Sequence, residues 1–136
     1  MTVELRAACS PGEVRVAAVR DGTLIDYALW RPGLPDGVGD FYRGRIVSRV
    51  PAMAGAFVAL DGVEGFLPDT DGAAGVTEGT VLGVRVTRAA QGGKGPRLTA
   101  RLEADEQALI GSGRQGLVRR GPGPLVDLAA MYPDAA

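Results

Sequence analysis

No histidine occurs among the 136 residues, and cysteine and tryptophan occur once each. Lacking histidine, the chain has neither the usual general base near neutral pH nor the commonest metal ligand. Ser10 and Ser112 therefore have no imidazole partner, which excludes a Ser-His-Asp triad. Cys9 alone closes no internal disulfide, which points to a reducing, cytoplasmic setting. With no base near it in an expected strand, Cys9 reads as a buried structural thiol and not as a nucleophile. No apolar run is long enough to span a membrane, and the N-terminus lacks the charged start and apolar stretch of a signal peptide. Charge of one sign is lacking too: 15 basic residues against 16 acidic ones leave a net charge of −1. Binding to a polyanion would have to come from a local patch and not from the chain as a whole.

What the chain does have is glycine at 21 positions, dividing short alternating segments, and 46% hydrophobic residues, enough to bury a core. The first 36 residues read as three strands at about 3–9, 14–20 and 24–31, separated by Pro11-Gly12 and Asp21-Gly22. Residues 31–39 are dense in turn formers and form a connector. Further strands are expected at about 41–50, 54–60, 64–67, 81–87 and 97–103. Short strands divided by glycine-rich turns argue for a barrel or a sandwich, mainly all-β. Beyond Leu102, short helices are expected at about 103–110 and 125–131, around a glycine-rich stretch carrying Arg114, Arg119 and Arg120. This tail is too short for a second core and reads as a docking segment or the start of a further domain.

Alternation then assigns faces. In 54–60, Ala56, Val58 and Leu60 form one small apolar set suited to a barrel interior, and Phe57 points the opposite way. A large aromatic outside a small barrel is either a packing contact or a platform on which bases stack. The strand before it places Arg43, Arg45 and Arg49 on one face and Tyr42, Ile46 and Val50 on the other. From Val84 to Arg101 the chain carries Arg85, Arg88, Lys94, Arg97 and Arg101 with no acid between them. Lys94 is the sole lysine, in Gly92-Gly93-Lys94-Gly95, where small neighbours leave its ammonium free to reach a phosphate. A hairpin tip carrying a solubilising charge would give the same loop. Arg97, Thr99 and Arg101 are expected on one strand face, opposite Leu98, Ala100 and Leu102. Asp69-Thr70-Asp71 reads as a turn that caps backbone amides and not as a metal site, since no third oxygen ligand lies near it in sequence. Gly111–Gly116 lacks the lysine of a P-loop, and Tyr27 and Trp30 are expected to pack against a neighbouring element.

The ordered set Phe41-Tyr-Arg-Gly-Arg-Ile-Val-Ser-Arg-Val-Pro, Ala56-Phe57-Val58, Gly65-Phe66-Leu67-Pro68 and Lys94-Gly95-Pro-Arg-Leu-Thr99 resembles the N-terminal region of the ribonuclease E/G family. The resemblance runs from about residue 3 to 102. It implies a five-stranded S1 domain of the OB-fold class at 37–103, interrupting an RNase H-like subdomain whose first piece would be residues 1–36. Residues 104–136 would be the tail or the start of a further domain. Phe57, Phe66 and Lys94 match the family's single-stranded RNA site, the phenylalanines clasping bases and the lysine holding the backbone. On the residues alone, Phe66 serves equally well as a core side chain. The family is a Mg²⁺-dependent endoribonuclease acting in RNA processing. Its metal is held by acidic residues of a later domain, so no cofactor is expected within this chain. The Cys-x-x-Cys zinc link of many members has no counterpart here, and Leu117–Arg120 lacks the threonine of the family's 5′-end pocket.

Together these readings describe a cytoplasmic RNA-binding front of a ribonuclease. Arg43, Arg45, Arg97 and Arg101 would form a phosphate track around Phe57, Phe66 and Lys94. The partners expected are single-stranded RNA, other ribonuclease domains or a second copy joined at a free strand edge, and no membrane. Two alternatives remain: a portion of a complete RNA-cleaving hydrolase, or a barrel that binds a protein and no RNA.

Overall fold

The computed structural model describes residues 2–32, 35–111 and 113–136. Gly33 and Leu34 of the connector, and Ser112, lie outside the described residues. The chain divides into two compact units, 1–36 with 122–136 and 37–121. The tail expected as one piece is thus shared between them.

The first unit is a three-stranded antiparallel sheet of β1 (Val3–Ser10), β2 (Glu13–Arg20) and β3 (Thr23–Trp30), with β2 in the centre. Two-residue turns join them. Asp21 and Gly22 both have positive φ, the conformation that matches the twist of a tight hairpin. Val16 and Ala18 are buried, as is Leu128 of α2 (Pro124–Met131), the helix that packs on all three strands. The Tyr132 hydroxyl donates to Asp26 at 3.3 Å, and Ala136 exchanges backbone hydrogen bonds with Val3 and Leu5 on the outer edge of β1. Cys9 is exposed, against the expectation of a buried thiol. Near the end of β1 it has a strand on one side only, so little covers it. Tyr27 is likewise exposed.

The second unit is the expected five-stranded barrel, closed and mixed. It contains β4 (Phe41–Val50), β5 (Gly55–Ala59), β6 (Glu64–Pro68), β7 (Val81–Arg88) and β8 (Arg97–Thr99). The order β5–β6–β8–β7–β4 closes through a β4–β5 pairing, and β6–β8 is the parallel step. Ile46, Ala56, Val58, Leu60, Leu67, Val84, Val86 and Leu98 fill the interior. The alternation expected for Ala56, Val58 and Leu60 is present, and Phe57 lies on the opposite face, half-buried.

Two expectations for these strands are corrected. A bulge between Ile46 and Ser48 turns the end of β4 over, because one extra residue reverses the alternation. Arg49 then pairs with interior Ala56 instead of sharing a face with Arg43 and Arg45. Its guanidinium donates to the Ala73 carbonyl and sits 3.3 Å from Asp69. The strand expected over 97–103 stops at Thr99. From there the chain bonds to the short 3-10 turn at Asp69–Asp71: Thr99 Oγ1 donates to Asp71, Ala100 N to the Asp71 carbonyl and Arg101 Nε to the Thr70 carbonyl.

Helix α1 (Ala104–Ile110) follows, opened by a capping box in which Glu106 accepts from the Glu103 amide at 3.0 Å. Glu106 is buried and also pairs with Arg85. A short strand, β9 (Gly116–Arg119), lies in the stretch read from sequence as an irregular glycine-rich tail. It pairs with the first residues of β4, on the edge that β5 uses further along.

Candidate nucleic-acid interface

Phe57 and Phe66 are directly opposed residues of β5 and β6 on the outer face of the barrel. Their rings meet edge to face, with centroids 5.9 Å apart and planes at 69°. Gly55 makes this arrangement possible, because a Cβ there would collide with Cζ of Phe66. The ring therefore lies over bare backbone, half-buried beneath and open on one side.

Lys94 reaches the same place from the loop between β7 and β8. Gln91 and Lys94 exchange backbone hydrogen bonds of 2.9 and 3.0 Å across Gly92-Gly93, and Gly92 takes the positive φ the turn requires. The Phe66 amide donates to the Pro96 carbonyl at 2.8 Å. Gly95 lies so close to the Glu64 carbonyl that a side chain would not fit. Backbone contacts thus hold the lysine loop against β6.

Phe57, Phe66, Lys94 and Arg97 line one concavity of about 400 Å³, together with Met53, Glu64, Arg88 and Gln91. Of the residues singled out from sequence, these four are brought together. The other three are placed elsewhere. Arg43 donates to the Ile110 carbonyl at 2.8 Å, serving the end of α1. Arg101 donates to Thr70, and Arg45 is exposed on β4, paired with Ala59 and Val81. Thr99 is buried, so the expected single face of Arg97, Thr99 and Arg101 does not form. Asp69 and Asp71 do not suit a metal, since the first faces Arg49 and the second accepts from Thr99.

Sequence reasoning named Arg88 in the basic patch but did not place it at this site, and it missed Gly55 and Gly95 as the residues that make room for the site. Arg88 belongs to the basic stretch, yet plain alternation groups it with interior Val84 and Val86. A bulge between Val86 and Arg88 turns it outward instead.

The chain is 30% identical to ribonuclease G of Escherichia coli strain K12 over an alignment of 131 residues, taking in 81% of this chain and 27% of the relative. Ribonuclease G of Salmonella typhimurium and of Shigella flexneri match to the same extent. Most of this chain is thus related to part of ribonuclease G. It spans about a quarter of the length of these relatives. No protein-family model matches it.

Proposed function

We propose that the 37–121 unit is an S1-type OB barrel that holds single-stranded RNA and presents it to a ribonuclease E/G-type centre outside this chain. The observation that carries this reading is the outward Phe57–Phe66 pair beside Lys94 in one concavity. OB barrels bind oligonucleotides on their second and third strands and on the loops that join the first to the second and the fourth to the fifth. Here those strands are β5 and β6, and the two loops carry Met53 and Lys94. Ring faces accept any base, and cations neutralise the phosphates between them. The relatives, ribonucleases by name, support RNA as the polymer. In this reading cutting falls to a centre outside this chain: Asp69 and Asp71 are engaged by Arg49 and Thr99, and Glu64 is a single carboxylate in the concavity.

Fluorescence anisotropy of a labelled single-stranded RNA across salt concentrations tests this. Binding should weaken with salt, and Phe57→Ala should weaken it by about 1–3 kcal/mol, the range for one stacked base. Lys94→Ala should lower both the affinity and the salt slope. On a gel, the same RNA incubated with the protein and Mg²⁺ should remain intact. An absence of binding at low salt would overturn the reading and favour a barrel that serves a protein partner.

A further inference from the structure

Strand register places four residues of the concavity in a single row. Phe57 opposes Phe66, Phe66 pairs with Arg97 across the parallel β6–β8 step, and Arg97 pairs with Arg88 across β8–β7. At roughly 4.8 Å between neighbouring strands the row is about 14 Å long. All four residues line the concavity, so the row faces one way: two aromatic rings followed by two guanidinium groups.

The arginine end is electrostatically unusual. Directly opposed like charges destabilise a sheet. Six other arginines of this unit are matched with acceptors: Arg43 with the Ile110 carbonyl, Arg49 with Asp69, Arg85 with Glu106, Arg101 with the Thr70 carbonyl, and Arg119 and Arg120 with carboxylates. Arg45 and Arg114 are not, but neither stands opposite another cation in a strand pair. Arg88, Lys94 and Arg97 make no side-chain hydrogen bond or ion pair among the described residues, although they share one concavity. Arg88 is there only because the bulge at Thr87 reverses its direction. Bulges commonly re-aim a side chain beside a functional site. The bulge thus sets two arginines directly opposite each other in a concavity that holds one carboxylate, Glu64, against three cations.

We infer that Arg88 is a further RNA-binding residue and that the RNA runs along this row, crossing the barrel strands from β5 toward β7. Bases stack on Phe57 and Phe66, and the phosphates that follow them lie on Arg97 and then Arg88. The inference rests on the proposed RNA reading and adds to it a direction, an end point and a minimum length. A dinucleotide fills the aromatic half alone, whereas a longer strand reaches Arg88.

The test is anisotropy with a labelled diuridylate and with an oligouridylate of roughly eight nucleotides, a length that one OB barrel accommodates. The proteins are the full chain and its Phe57→Ala, Arg88→Gln, Arg88→Lys and Arg20→Gln variants. Arg20 lies in the other unit and controls for general loss of charge. Arg88→Gln should weaken the longer RNA by up to about fivefold, the worth of one exposed ionic contact of at most about 1 kcal/mol. It should lower the salt slope by about 0.7, the increment for one phosphate on a single strand. Arg88→Lys should restore the slope, and diuridylate affinity should not change with either. A melting temperature of Arg88→Gln equal to or above that of the parent separates this role from a structural one, because the substitution removes a repulsion. If Phe57→Ala weakens binding but Arg88→Gln behaves as Arg20→Gln does, the path is wrong and the RNA reading stands. If the parent chain binds neither RNA, both fall.

Discussion

Gly44 shows how little room the barrel interior leaves. Its missing side chain would sit against Val58, Val84 and Leu60, three residues of the core. Gly44→Ala should therefore overpack the interior and cost about 1–3 kcal/mol, read as a lower urea midpoint with an unchanged slope. Tyr42, half-buried against the same core, carries a testable pH dependence. Burial first, and then the Asp40 carboxylate, hold its phenol above the ordinary 10.0, with Arg120 pulling the other way. The folded state keeps that proton more tightly than the unfolded chain does. Its stabilising contribution is complete below about pH 10 and is lost as pH rises through the raised value. Thermal melts should show a decline in this alkaline range that is shallower in Tyr42→Phe.

Among the elements, α1 depends most on one side chain. Glu106 closes the capping box, pairs with Arg85 of β7 and lies within 3.7 Å of Arg119 of β9. One carboxylate thus ties the helix to two strands that are distant in sequence. Glu106→Ala should cost about 2–3 kcal/mol, the worth of buried hydrogen bonds to a charged group, and Glu106→Gln less, by equilibrium denaturation. The helix was expected from sequence at about 103–110, but its capping box was not, because Glu103 is not one of the usual N-cap residues. Strand β9 was not expected either. Gly116–Arg119 is short, follows a glycine-rich run and gains its pairing only from the free edge that β4 offers beyond β5.

For the molecule as a whole, the division into two units has a consequence that can be measured. Residues 37–121 contain the closed barrel, its covering helix and the entire concavity. A chain of those residues alone should unfold cooperatively and bind single-stranded RNA with the affinity of the full chain, by circular dichroism and anisotropy. A large loss of affinity would mean that the first unit contributes to the site. No helix among the described residues is long and apolar enough to cross a membrane.

Most of the strands and the outward direction of Phe57 were legible in the sequence because each depends on neighbouring residues, whereas local signals left a barrel and a sandwich open and the resemblance supplied the barrel. Period-two alternation and Asp-Gly or Pro-Gly turns are local signals. They carried Ala56, Val58 and Leu60 inward and Phe57 outward without reference to any other strand. The faces of Arg49 and Arg88 were not legible, since each follows a bulge, and a bulge exists only relative to the partner strand it is out of step with. The same holds for Arg43 and Arg101, whose acceptors at Ile110 and Thr70 are brought near by closure of the barrel. Local chain chemistry thus decided which segments became strands and which ring faced outward. Closure of β4 on β5 and the single parallel step from β6 to β8 decided which cations joined the aromatic pair, because only those long-range pairings bring residues 57, 66, 88 and 97 into one row.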